Sequence, residues 1–180
     1  MYYIRNVNSG HYLDVPNGNS GDGTDLIQYG FNGNANQQFK AVYNSSTDDY
    51  VLIPMCATGS AVETSWLNEN GQDVQIWSKP SSGYMNSQRF RIARNSDGSY
   101  RILSYVSNYT RAAVVSGARH DNGAPIIHCN DNGSTNGFWV FEAVNFGNGG
   151  TYRQVNSFPP QCFGYTLFLE IGRASCRERV

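Results

Sequence analysis

ANQQF at residues 35–39 is echoed by SQRF at 87–90 and by NGFW at 136–139. Each phrase ends on a large aromatic, Phe39, Phe90 or Trp139, spaced 51 and 49 residues apart, and the first two place a Gln two positions before it. Working outward from these aromatics exposes a longer repeat. Tyr2, Tyr50 and Tyr100 each open an alternating apolar run, with Ile4, Leu52 and Ile102 two places on. A second run surrounds Leu13, Val62 and Ala113. Glycines at 23, 71 and 123 then mark a turn, and a third run begins at Leu26, Val74 and Ile126. The aromatic starts the fourth run, whose next inward position is Ala41, Ile92 or Phe141. Alternation with period two, punctuated by Gly, Asn, Asp and Ser, is the pattern of short strands and tight turns. The spacing predicts an all-β domain over residues 1–145, built of three four-stranded repeats at about 1–48, 49–98 and 99–145. One such unit cannot enclose a core, whereas three packed about an axis can. Closing the sheet also removes its edges.

The composition agrees with this reading. The chain has 180 residues, 19 of them Gly, with 13% aromatic and only 15% charged side chains. A net charge of −1 without a basic stripe excludes the electrostatic footprint of a nucleic-acid binder. No run of 18 apolar residues exists, so no membrane-inserting helix is expected. Met1 leads directly into YYIRNV, which reads as a strand rather than a signal peptide. The expectation is that Met1 lies inside a longer, secreted or surface-acting chain, the alternative being a cytosolic protein. Cysteines 56, 129, 162 and 176 have no metal-ligand spacing, and Cys56 and Cys129 are predicted to be buried free thiols. His11, His120 and His128 share no ligand spacing either, so neither metal nor cofactor is expected. GDGTD at 21–25 lacks the alternating oxygens and distal Glu of a calcium loop and is predicted to be a turn. NSS at 44, NYT at 108 and NGS at 132 are glycosylation sequons by pattern alone.

The Q-x-F/W phrase, three repeats of 48–52 residues and the line YYIRNVNSGHYLDVPNGNSGDGTDLIQYGFNGNANQQF together resemble the ricin-B-type lectins and related carbohydrate-binding modules. That resemblance covers roughly residues 1–145, is strongest in the first repeat and weakest in the third, and implies a β-trefoil with pseudo-threefold symmetry. It also implies a sugar site. A neutral sugar presents hydroxyls at fixed angles and an apolar C–H face, so its site needs a carboxylate, amides and an aromatic plate. The first repeat offers Asp14, Tyr29, Asn36 and Gln37 at the family's positions. There the carboxylate and Asn would bind hydroxyls, Tyr would stack on the ring, and Gln would support the Asp. The bland alternatives are a turn-capping carboxylate for Asp14 and a half-buried strand aromatic for Tyr29. In the second repeat Glu63, Trp77, Ser87 and Gln88 stand at these positions, giving a longer acid and a larger plate. The third repeat has Val114, Cys129 and Gly137, and is expected to be structural. The expected partner is a glycan, with galactose- and xylose-type sugars both fitting the residue types.

Beyond residue 145 the character changes. Residues 146–169 read as a linker, FGNGGTYRQVNSF, followed by the start of a second element, PPQCFGYTLFL. A Cys in the first turn of a helix can have a depressed thiol pKa. CFGYTL loosely resembles the nucleophile region of papain-like peptidases and amidases, which makes Cys162 a candidate nucleophile of a truncated hydrolase. A catalytic Cys needs a His base and an orienting residue, which in such folds lie downstream. The chain as it stands is therefore expected not to be an enzyme, with a catalytic domain missing from its C-terminal side. Residues 170–180, EIGRASCRERV, back-translate into a widely used short-read sequencing adapter and are expected not to be native.

Overall fold

Strands form where the alternation places them. The computed structural model describes residues 1–64 and 68–144, so Cys162, the 146–169 segment and the adapter-like tail lie outside the described residues. In the first repeat the strands are β1 (Tyr2–Asn6), β2 (Tyr12–Asp14), β3 (Thr24–Asp25), β4 (Ile27–Tyr29) and β5 (Gln38–Asn44). The second contributes β6 (Asp49–Pro54), β7 (Ser60–Thr64), β8 (Gln72–Ser78) and β9 (Phe90–Arg94). The third contributes β10 (Tyr100–Ser104), β11 (Arg111–Val115), β12 (Ala124–Asn130) and β13 (Trp139–Ala143).

Antiparallel pairing proceeds from β1 to β5, β6, β9, β10, β13 and back to β1, which is a closed six-stranded barrel. The second and third strands of each repeat form hairpins, β2–β4, β7–β8 and β11–β12. These hairpins pair in turn through β4–β12, β12–β8 and β8–β3, making a triangular cap over one end. The fold is a β-trefoil with pseudo-threefold symmetry. The first repeat departs from the expected four strands because its third strand is divided at Leu26. The Leu26 N–H donates to the Val74 carbonyl at 2.7 Å, and its own carbonyl accepts from the Ile126 N–H at 2.9 Å. Those three residues are the equivalent positions of the three repeats, so the interruption falls where the hairpins converge.

The core is layered by the same equivalences. Ile4, Leu52 and Ile102 lie with Phe39, Phe90 and Trp139 in the barrel, all nearly or wholly buried. The Trp139 indole N–H donates to the Ala113 carbonyl at 2.9 Å, satisfying the one polar atom this side chain brings inside. Phe141 and Ile92 are buried as expected, but Ala41 only packs against the core from a half-buried position. The thiols correct the expectation further, since Cys56 and Cys129 are both only half-buried. Cys56 follows β6 in a surface turn, and Cys129 points outward on β12 because its neighbour His128 takes the inward position.

The turn glycines interlock the repeats. Gly23 donates to the carbonyl of Ile76, Gly71 to that of His128 and Gly123 to that of Gln28, at 3.0, 2.9 and 2.9 Å. Each repeat thus grips the third strand of another, cyclically. The glycines have φ of +78°, +85° and +83°, a region where a Cβ meets the following carbonyl oxygen. No atom crowds a Cβ added at Gly71 or Gly123, so the cost there is purely conformational. Gly123→Ala is expected to lose about 1–2 kcal/mol of stability in urea unfolding without altering the fold. An unchanged midpoint would show that the cap tolerates another backbone path.

Candidate functional site

The end of β2 and the turn before β5 meet in the first repeat. Residues 35–37 form one turn of 3-10 helix, and Gln37 within it is wholly buried. Its Nε2 donates to Asp14 Oδ2 and to the Gly30 carbonyl, both at 2.9 Å, while its Oε1 accepts the Asn32 N–H at 2.8 Å. Gln37 therefore ties the carboxylate to the segment after β4 and offers nothing to a ligand. Asn36 adds a second donor to Asp14 Oδ2 at 2.9 Å and also reaches the Val15 carbonyl at 3.3 Å. Asn32 approaches the same oxygen at 3.4 Å. With Oδ2 surrounded by amides, the orientation of the carboxylate is fixed. Oδ1 accepts no bond from the described residues. Burial pushes the Asp14 carboxyl above its usual range, and the Gln37 and Asn36 amides pull against that shift.

Asp14, Tyr29 and Asn36 line a single cleft of about 710 Å³, within the size range of small-molecule sites. Tyr29 is 42% exposed and forms an aromatic wall. Three of the four predicted residues thus reach the cleft, and the fourth braces it from behind. Sequence reasoning missed Asn17, Asn32, Asn34 and Cys56, which line the same cleft. Asn32 and Asn34 stand in a run after Gly30 and Asn17 in the turn after β2, where all three look like turn punctuation. Cys56 comes from the second repeat, and no local pattern marks it.

The second-repeat residues are arranged differently. Glu63 is fully buried, and burial pushes its carboxyl up to about 7, against the amides of Gln75 and Gln88 and helped by the charge of Asp22. Gln88 Nε2 lies 3.4 Å from Glu63 Oε2 and 3.1 Å from the Trp77 carbonyl, while Glu63 Oε1 is buried without a hydrogen bond from the described residues. Ser87 is also buried, and its hydroxyl has no partner among the described residues. Trp77, 39% exposed, is the part of this set that faces solvent most openly. Residues 65–67, directly after β7, lie outside the described residues.

In the third repeat the same positions are filled by packing. Val114 joins Leu103 and Ala112 in a small apolar cluster that Cys129 flanks. A Cβ added at Gly137 would sit 2.9 Å from Val114 Cγ1, so no side chain fits at the Gln position while Val114 is present. Asn136, equivalent to Asn36, still donates to the carbonyl of Val115, at 2.8 Å. No cluster of His, Cys, Asp or Glu suited to a metal occurs among the described residues.

Residues 1–77 match the family model of ricin-type beta-trefoil lectin domain-like proteins. That stretch resembles the ricin-type lectin domains, and the described residues have a β-trefoil fold. Among solved structures, this trefoil is similar to the designed 3-fold symmetric protein ThreeFoil, with 27% identity and a TM-score of 0.70 over 77% of this chain and 94% of that one. The Macrolepiota procera ricin B-like lectin, solved in complex with lactose, shares 20% identity and a TM-score of 0.61 over 78% and 92%. An exo-beta-1,3-galactanase from Clostridium thermocellum shares 23% identity and a TM-score of 0.69, over 78% of this chain but only 29% of that one. No curated protein sequence matches the chain.

Two outcomes follow from the side-chain environments of the second and third repeats. A carboxyl titrating near 7 when folded, against 4.5 when free, means the folded state holds the extra proton between those values. Stability therefore falls as pH rises through that window. Glu63→Gln removes the ionisation, so its stability relative to wild type is expected to improve by about 2–3 kcal/mol between pH 4 and pH 8. A pH-independent difference would show that Glu63 ionises normally. Gly137→Ala should cost about 1–3 kcal/mol through overpacking. Val114→Ala in the same molecule should recover part of that loss, and strict additivity in the double-mutant cycle would rule out the contact.

Proposed function

We propose that this trefoil binds neutral carbohydrate through its first repeat. The observation that carries the reading is the Asp14 carboxylate, with one oxygen held by amides and the other left to accept, opening beside the Tyr29 ring. In this arrangement Asp14 Oδ1 accepts sugar hydroxyls, Tyr29 packs against the apolar face of the ring and Asn36 presents its carbonyl oxygen. Gln37 acts only through Asp14. Asn32, whose Nδ2 has a single weak bond to Asp14, is a further donor at the rim. The family match over residues 1–77 supports this reading, as does the likeness to a lectin solved with lactose. Galactose- and xylose-type sugars both offer the required hydroxyls and C–H face.

A cleft of this kind makes few contacts and should bind one sugar unit weakly, with Kd near millimolar. Tethering to another domain, or a second site, would raise the effective affinity. The galactanase, of which a trefoil occupies only part, offers a precedent for such tethering. The role proposed for the module is to hold an attached domain against glycans.

Titration of lactose and xylobiose by NMR or calorimetry tests the site. A hydrogen bond to a charged group contributes roughly 1.5–3 kcal/mol, so Asp14→Asn should weaken the responding sugar by about tenfold or more. Tyr29→Ala should cost about 0.5–1.5 kcal/mol of binding while leaving the circular dichroism unchanged. Retained affinity in both variants would place the site elsewhere. Silence of the wild type across a glycan array would sink the lectin reading altogether.

A further inference from the structure

The buried position of Glu63 raises the question of what could serve the exposed Trp77 plate as a hydroxyl acceptor. The answer lies in a different repeat. The turn between β2 and β3, GDGTD, crosses to the second repeat, where β3 pairs with β8 through Thr24↔Ile76 and Asp25↔Gln75. This pairing carries Asp22 to the end of β8. Asp22 Oδ1 accepts from the Ser78 backbone N–H at 2.6 Å and from the Ser78 hydroxyl at 2.8 Å. Ser78 directly follows Trp77. Next to Asp22, a Cβ built on Gly23 would stand 3.8 Å from Trp77 Cζ3, so the turn rests against the indole. Asp22 is exposed, and its Oδ2 accepts no bond from the described residues.

We infer that Asp22, a first-repeat residue, supplies the hydroxyl-accepting carboxylate of a second sugar subsite whose stacking plate is Trp77. The subsite rests on the carbohydrate-binding function proposed above and extends it across a repeat boundary. Its logic parallels that of the first repeat. One carboxylate oxygen is fixed by two short hydrogen bonds, the other is open, and an exposed aromatic ring stands alongside. A carboxylate anchored in this way loses little conformational freedom on binding. Glu63 takes the supporting role behind β8, with the Gln88 amide between it and the Trp77 carbonyl. Its carboxyl has no solvent-facing surface to offer a hydroxyl.

The experiment uses the full chain carrying Asp14→Asn, so that the first site is weakened. Lactose and xylobiose are titrated while the indole N–H cross-peak of Trp77 is followed, assigned by its loss in Trp77→Phe. Asp22→Asn retains an oxygen for the Ser78 donors and removes the charge, so the turn survives. The expected result is a saturable Trp77 response that weakens by about tenfold or more in Asp22→Asn and persists in Glu63→Gln. A response lost in Glu63→Gln and unaffected in Asp22→Asn overturns the assignment. So does a Trp77 peak that never moves in the Asp14→Asn protein, even when wild type binds through its first repeat. If wild type binds neither sugar at either site, the carbohydrate-binding reading fails and the subsite fails with it.

Discussion

Three hydrogen bonds, from Gly23 to Ile76, Gly71 to His128 and Gly123 to Gln28, decide how the repeats can be arranged. Each runs from the turn of one repeat to the third strand of another, and together they form a cycle. A cycle cannot be completed by one repeat or by two, so the triangular cap exists only when all three hairpins are present. The cap in turn fixes the ends of the six barrel strands, which the β1–β13 pairing of residues Tyr2–Asn6 with Trp139–Ala143 closes. Cooperativity follows from this topology. Many of the pairings are long-range, and the entropy of bringing distant segments together is recovered only as the ring closes.

That arrangement also explains why sites in this fold are shared between repeats. The carboxylate of the first cleft stands on β2 and its braces lie in the turn before β5, but Cys56 of the second repeat completes a wall. Asn122 of the third repeat accepts the Gly30 N–H at 2.7 Å, fixing the segment that leads out of the Tyr29 strand. The second repeat repeats this dependence with Asp22, carried over by β3. A residue's register in its own repeat therefore does not determine which cleft it serves.

The barrel and the first cleft were legible in the sequence for different reasons. Strand positions followed from alternation, because a period of two leaves one face for the core, and Ile4, Leu52 and Ile102 report that face without ambiguity. Asp14, Tyr29, Asn36 and Gln37 were legible as a set because all four belong to one repeat in a fixed order. Glu63 shows what such an order leaves open. One additional methylene implied oxygens placed differently from those of Asp14, and the structure holds the side chain wholly inside, beside Gln88. The side-chain type was visible, but its depth is not written in the local sequence pattern. Cys56 and Asp22 were hidden for the same reason, since both act in a cleft remote from their own sequence pattern. His128, which shares no ligand spacing with the other histidines, is buried at the position equivalent to Gln28. Burial lowers its pKa to about 4, so the imidazole is neutral at physiological pH and can occupy this interior position.

The third repeat separates what Asn36 does for the fold from what it does for a ligand. Asn136 makes the bond to the end of the second strand that Asn36 also makes, although no carboxylate stands beside it. An amide here thus serves the fold in the first and third repeats, ordering the turn that leads into the fourth strand, while the second repeat forms the same turn with Ser87 in its place. Only the bond to Asp14 is particular to a binding site. Where Val114 replaces the carboxylate, the brace behind it must also go, because the methyl group occupies the space a side chain at 137 would need. The apolar cluster around Val114 avoids the cost of burying a carboxylate, a cost the first repeat offsets with two short amide hydrogen bonds and a weaker third. A carboxylate kept at such expense beside an open cleft, in a fold that closes equally well with a valine, is better explained by a ligand than by stability.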